Sequence, residues 1–237
     1  MTPVLQITSV QKRFQGLRPL RIQELTIAAA ERVAVSGFDA GTAEVLVNLV
    51  TGASLPDQGE VRVLGHLTAD IVGGDEWLAS LDRFGIVSPR GVLLEAATIE
   101  QNLARPLTLE IDPVPPDVAA RVVDLARECG ILDLTGGEDG LRRIAGEAAS
   151  SIRARVHLAR AIALRPALLV LEHAGAELEA DERLALADCM AGVAEAGGVA
   201  ALVITNDDDF AKRAAHRALR LEAATGALKP IKRGWFS

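Results

Sequence analysis

The sequence predicts an α/β protein built on a mainly parallel sheet, and three observations carry that prediction. From Arg32 onward, short apolar runs alternate with longer amphipathic stretches, the pattern of repeated strand–helix units. Two runs, 167–172 and 199–205, hold almost no polar residue, as strands covered on both faces require. Between a strand at 32–35 and an apolar-faced helix at 43–50 lies a loop, 36–42, that carries two glycines and an aspartate.

The individual elements follow in order. Residues 4–10 are β-rich, and 25–27 and 32–35 read as further strands. The helix over 43–50 ends at Thr51-Gly52, a turn occupies 55–59, and alternation resumes over 60–64. Residues 85–87 read as a short buried strand. From Thr98 to Gly146 the chain turns helical and charged, broken at 111–117 and at Gly136-Gly137. This stretch, about 95–150, reads as a helical subdomain inserted into one domain spanning 1–237. A long helix covers 151–165 and stops at Pro166; the strand at 167–172 follows. Helix 179–196, strand 199–205, helix 210–216 and a final strand 218–221 complete the pattern. The length of 237 residues suits this single-domain reading.

Composition excludes several function classes. Lys and Arg total 25 against 32 Asp and Glu, a net charge of −7 with a pI near 5.2. Such a surface opposes nonspecific nucleic-acid binding, which depends on neutralising phosphates, and opposes a broad polybasic contact with anionic lipid. The absence of Tyr, with only 5 Phe and 2 Trp, leaves no aromatic platform for stacked bases. Cys129 and Cys189 form no CxxC pair, so neither a disulfide framework nor a zinc ribbon is expected, and a reducing cytosol fits. Mean hydropathy is +0.24, yet no apolar run approaches bilayer-spanning length. The N-terminal residues show no basic segment followed by an apolar one, so no signal peptide is expected.

Five separated blocks together resemble the ATP-binding cassette (ABC) ATPase family. Residues 33–52, continuing through Pro56, Gly59, Val61 and Gly65, look like that family's first core strand, phosphate loop, helix and hairpin. Residues 83–87 and 98–103 resemble the Q-loop region and the start of its helical subdomain. Residues 155–166 resemble the helix after the family signature, 167–172 the Walker B strand, and 201–205 the approach to the switch position. The resemblance implies a P-loop NTPase-like ABC ATPase fold: an antiparallel β-subdomain, a mainly parallel core sheet and an inserted helical subdomain. It implies ATP and Mg²⁺ as ligands, and head-to-tail dimers in which each ATP is held by one chain's Walker motifs and the other chain's signature. It also implies a separate transmembrane permease subunit, which places the chain in the cytoplasm or on the inner face of the membrane.

The residues that would carry the family's chemistry are altered. In the phosphate loop, whose pattern is G-x-x-x-x-G-K-[ST], Gly37 opens correctly. Thr42 stands at the second glycine with Gly41 one slot early, Ala43 replaces the lysine, and Glu44 replaces the residue that holds magnesium. The loop thus carries two carboxylates, Asp39 and Glu44, and no cation. A carboxylate about 4 Å from a phosphate costs about 4 kcal/mol at an effective dielectric of ~20. A helix N-terminus offers only about half a positive charge in return. Pro89 stands at the Q-loop glutamine. Ala149, Ser150 and Ser151 align with the signature, where the serines read most simply as a helix cap. Glu172 replaces the Walker B aspartate, His173 the catalytic glutamate, Glu179 the D-loop aspartate and Asn206 the switch histidine. Phe14 keeps the adenine-stacking position.

Each position also has a plainer reading. Glu44 and Glu172 are hard oxygen donors that offer an alternative magnesium site, but two such carboxylates more simply solvate or cap the helix. His173 is expected to be a hydrogen-bonded structural histidine rather than a general base, and Phe14 to be core packing. His157 and His216 read as solvated or capping residues on helices, and 207–209 as the cap and first turn of the last helix. Trp235 and Phe236 are expected to dock on the domain. No confident catalytic residue emerges. The function expected is a pseudo-ATPase subunit of an ABC-type transporter, dimerising with itself or another ABC subunit and docking on a membrane partner. Such a chain spoils both sites of a dimer, one through its phosphate loop and the other through its signature. A divergent working ATPase and a soluble scaffold or regulator are the alternatives. The short C-terminus suggests no added regulatory domain, and compact lipid- and lipoprotein-export subunits are the nearest type.

Overall fold

A computed structural model describes residues 2–15, 18–71 and 74–231. Trp235 and Phe236, expected to dock on the domain, lie outside the described residues. The elements run β1 (Leu5–Lys12), β2 (Leu20–Ile27), β3 (Arg32–Ser36), α1 (Ala40–Val50), β4 (Gln58–Val63), β5 (His66–Leu67), α2 (Gly74–Leu81) and β6 (Phe84–Val87). Then follow α3 (Ile99–Ala104), α4 (Pro116–Glu128), α5 (Ile131–Thr135), α6 (Ser150–Ile162) and β7 (Leu168–Glu172). The chain continues through α7 (Ala180–Ala196), β8 (Ala200–Ile204), α8 (Asp208–Ala214), β9 (Arg217–Glu222) and β10 (Ala227–Pro230).

Two sheets organise these elements. One is antiparallel with order β2-β1-β4-β5; the other has order β10-β9-β3-β8-β7-β6. In the second, β6, β7, β8, β3 and β9 run parallel, and only β10 pairs antiparallel with β9. Adjacent residues of the central strands serve two different cores. Leu168 and Val170 of β7, with Leu202 and Ile204 of β8, join the cluster shared with β1, β2, β4 and α1. Leu169 and Leu171, with Ala201 and Val203, join the cluster built with α3 to α8. Apolar contact on both faces is why these strands contain no alternation and were legible as buried runs.

Several element boundaries differ from the sequence expectation. Helix α1 begins at Ala40 rather than Ala43, because the Asp39 carboxylate accepts the Thr42 N–H at 2.8 Å and caps the helix early. Strand β6, read from the sequence as a short buried strand, is the sheet's edge: Gly85 and Val87 are buried, but Ile86 is 39% exposed. Helix α6 stops at Ile162, short of Arg165, which takes a left-handed φ of 52° before Pro166. Helix α8 ends at Ala214, so His216 is not helical. Strand β10 and helix α2 were not anticipated, since Ala227–Pro230 is a short edge strand lacking apolar alternation and α2 buries no residue.

Helices α3, α4 and α5 lie between β6 and α6 in sequence, and two local devices fix their entry. Thr98 and Gln101 form a reciprocal capping box at the start of α3. Asn102 is fully buried; its amide oxygen accepts the Leu94 N–H, and its nitrogen donates to the Leu94 and Thr98 carbonyls. This one side chain therefore pins the loop between β6 and α3. Gly85 permits α6 to pack directly on β6, since a Cβ there would stand 2.4 Å from the Ala161 carbonyl oxygen.

Candidate functional site

The C-terminal ends of β3, β7 and β8 meet at one place, where open parallel sheets bring ligand-binding loops together. The loop after β3 leads into α1, the loop after β7 carries His173, and the loop after β8 carries Asn206. The segment after β6 brings Pro89 and Arg90 to the same cleft.

Gly37 takes a φ of 86°, a conformation that favours glycine, and a Cβ would lie 3.0 Å from the Leu221 carbonyl oxygen. Its N–H donates to Asn206 Oδ1 at 2.8 Å, while Asn206 Nδ2 donates to the Phe38 carbonyl at 2.8 Å. Asn206 is thereby locked onto the phosphate-loop backbone. Asp39 Oδ1 accepts from the Thr42 N–H at 2.8 Å and the Thr42 hydroxyl at 2.7 Å. The Thr42 N–H, followed by its hydroxyl, holds the Asp39 carboxyl below the usual range, so an anion already sits at the α1 N-terminus. Ala43 is buried in the core. The Phe14 ring stands beside Gly41, where a Cβ would lie 3.7 Å from it, and packs partly buried against the core.

The sequence reading missed Arg90. Its guanidinium grips Glu172 with two bonds, Nη1 to Oε1 at 2.9 Å and Nη2 to Oε2 at 2.6 Å. It also stands 3.6 Å from Glu44 Oε2. Glu172 is 1% exposed, so this fork supplies the pairing that a buried carboxylate requires. The sequence reading concerned the phosphate loop alone and did not foresee a cation reaching the cleft from elsewhere. The loop itself has none, but the residue after Pro89 delivers one from a different element. The alternative magnesium site at Glu44 and Glu172 is corrected, because Arg90 stands between them and occupies both Glu172 oxygens. Among the described residues, no group of three or more His, Cys, Asp or Glu is placed to hold a metal. The adjacent proline, which holds its φ fixed, was the available signal that this segment is rigidly aimed.

His173 has a φ of 47°, a strained value for a residue with a side chain. Its N–H donates to the Ile204 carbonyl at 2.8 Å, but its buried Nε2 has no partner among the described residues. The expectation of a hydrogen-bonded side chain is thus corrected; only the backbone is tied. The signature-aligned serines do not cap either. Ala149 is the N-cap of α6 and lends no side-chain bond, while Ser150 and Ser151 are the first helical residues. Glu179 likewise precedes α7 without a side-chain cap. Asp207 does cap α8, accepting from Asp209 N–H and Phe210 N–H at 2.9 and 2.8 Å. Burial raises the Asp207 carboxyl, yet the Phe210 N–H and Arg183 outweigh it and leave it lowered.

His216 accepts the Arg32 N–H at Nδ1, 3.1 Å away, and lies outside the cleft. His157 is half-buried within α6 and caps no helix end. It lines a groove of about 350 Å³ with Ile86, Val92, Arg105, Arg160 and Leu164, and burial followed by Arg160 holds its imidazole below the ordinary value.

Taken together, the cleft has the architecture of a nucleotide site and side chains that satisfy one another. Asp39 takes the helix N-terminus, Asn206 takes the Gly37 N–H, and Arg90 takes Glu172. Asp39 and Glu44 would meet the phosphates of a nucleoside triphosphate with like charge, and the Glu172 carboxylate is already paired.

The fold is that of the ABC ATPase domain. The chain matches the ATP-binding cassette MJ0796, in its dimeric post-hydrolysis state bound to ADP and Pi, with a TM-score of 0.75 over 98% of this chain and 100% of that one, at 19% identity. It matches cbiO1 from Clostridium perfringens, part of the ABC transporter complex cbiONQ, with a TM-score of 0.76 over 96% and 87% of the two chains, at 17% identity. Its homologues in sequence are ABC transporter ATP-binding subunits. The methionine import ATP-binding protein MetN of Mesorhizobium japonicum is 27% identical over 221 residues, 93% of this chain and 58% of the relative. The Fe(3+) ions import ATP-binding protein FbpC of the same organism is 28% identical over 203 residues, 86% of this chain and 53% of the relative. The chain thus spans a little over half the length of the curated relatives it matches. No family model matches it. These two relatives are named for import rather than for export.

Proposed function

We propose that the chain is the ATP-binding-cassette subunit of an import-type ABC transporter and works as a pseudo-ATPase. The carrying observation is the Arg90 fork on Glu172, with Glu44 at 3.6 Å, in the cleft where a nucleotide and its metal would sit. An internal cation there neutralises the Walker B-like carboxylate without a ligand. The chain acts as one unit, with residues 95–150 as its helical subdomain, and dimerises with itself or with another ABC subunit. The groove beside His157 supports docking of a helix from a transmembrane permease. Val92 is 72% and Leu164 46% exposed at its rim, and Arg105 and Arg160 favour an acidic residue on that helix. No described helix is long and apolar enough to cross a membrane, so the permease supplies the membrane attachment on the cytoplasmic face.

A second reading, a divergent working ATPase, is favoured by the names of the relatives, which are ATP-binding proteins. Phosphate release from Mg-ATP by the purified chain separates the two. The pseudo-ATPase reading expects no release above buffer, alone or in dimers with itself. Release that is abolished by His173→Ala overturns it.

A further inference from the structure

The chain holds only 2 cysteines, 60 positions apart, and the fold brings them together. Cys129 is the fully buried C-cap residue of α4, and Cys189 is a partly exposed residue of α7. Cys189 Sγ donates to the Cys129 carbonyl at 3.4 Å. Arg155, from α6, spans the same joint. Its Nη1 donates to the Cys129 carbonyl at 2.8 Å and its Nη2 to the Ala185 carbonyl of α7 at 3.4 Å. A guanidinium beside a thiol stabilises the thiolate, the form that reacts. Here a hydrogen bond from the Cys129 thiol, with Arg155, draws Cys189 down to about 7, while the same bond and burial hold Cys129 well above its ordinary value. Structural cysteines packed as small apolar residues are usually inert. This pair differs in placing a reachable, cation-paired thiol against a buried second one.

We infer that Cys189 and Cys129 are a peroxide-responsive pair whose disulfide staples the α4–α5 segment to α7. The Cys189 thiolate attacks one oxygen of hydrogen peroxide, the O–O bond breaks, and the leaving hydroxide takes a proton to become water. The resulting sulfenic acid is then attacked by the Cys129 sulfur. The S–S bond forms as the S–O bond breaks, and the released hydroxide takes the Cys129 proton as a second water. Two thiols and one peroxide give one disulfide and two waters; the sulfurs lose the two electrons that the peroxide gains. A dithiol reductant reverses the reaction by thiol–disulfide exchange. The staple would hold the C-terminal end of α4 fixed against α7, which otherwise meet only through noncovalent contacts and the Arg155 bridge.

The test treats the full purified chain with a small excess of hydrogen peroxide, then alkylates and measures intact mass, peptide linkage and melting temperature. The expected product is a monomer that has lost two hydrogens, takes up no alkylating reagent, and yields a peptide linking 129 to 189. Its melting temperature rises by about 5 °C or more and falls back on adding dithiothreitol. Cys129→Ala is expected to stop at a dimedone-reactive sulfenic acid on Cys189, and Cys189→Ser to react with neither. Oxygen gain without a link in the wild-type chain, a link between two chains, or no reaction overturns the inference.

Discussion

Arg90 is the side chain on which the cleft depends. Glu172 is 1% exposed and would be an isolated buried charge without the fork at 2.9 and 2.6 Å. Because Arg90 is itself 45% exposed, water and Glu44 moderate the loss, so Arg90→Ala is expected to cost about 1–3 kcal/mol rather than the full penalty of a buried pair. Adding Glu172→Gln removes the stranded charge and should recover most of that cost in urea denaturation. A double variant no more stable than Arg90→Ala would show that the pair does not hold the cleft. The sequence marked this site only through the family resemblance, which implies that Ala43, Glu44 and Pro89 stand at altered motif positions. It did not expose the compensation. Arg90 and Glu172 are 82 residues apart, and nothing local marks them as partners. His173 and the Ser150-Ser151 pair show the same limit, because whether a side chain finds a partner depends on neighbours that sequence does not place.

Elements were legible where burial imposes a pattern. Strands β7 and β8 announced themselves because each feeds two cores, and α1 and α6 because one face is apolar. Strand β10 and helix α2 bury too little to leave a signature, and the early start of α1 came from a single carboxylate at Asp39. Between β6 and α3, the loop is held by Asn102, a residue whose type alone suggested nothing. Its three hydrogen bonds satisfy Leu94 on both sides and Thr98 on one. Asn102→Leu keeps the volume but leaves the Leu94 N–H and carbonyl unpaired. It is expected to cost about 1–3 kcal/mol and to speed hydrogen exchange at the Leu94 amide more than at β7 amides. Equal acceleration at both would mean that the clamp acts only through global stability.

For the molecule as a whole, overall architecture and local chemistry point in different directions. The order of strands, the helices between β6 and β7 and the converging loop ends are those of an ABC ATPase domain, and they were legible from five separated blocks. Inside that frame, Asp39 caps α1, Asn206 accepts the Gly37 N–H and Arg90 pairs with Glu172, and the proposed loss of nucleotide binding rests on these contacts. Fold is set by many apolar positions whose substitution is individually tolerated, whereas nucleotide binding depends on a few charges that a handful of substitutions can reverse. The relatives named as ATP-binding proteins share the first property at 27 to 28% identity, and the second must be measured in this chain. Calorimetric titration with ATP to millimolar concentration, with and without Mg²⁺, does so. A self-satisfied cleft predicts no heat of binding and an unchanged melting temperature. Saturable binding at micromolar affinity, strengthened by magnesium, would contradict it.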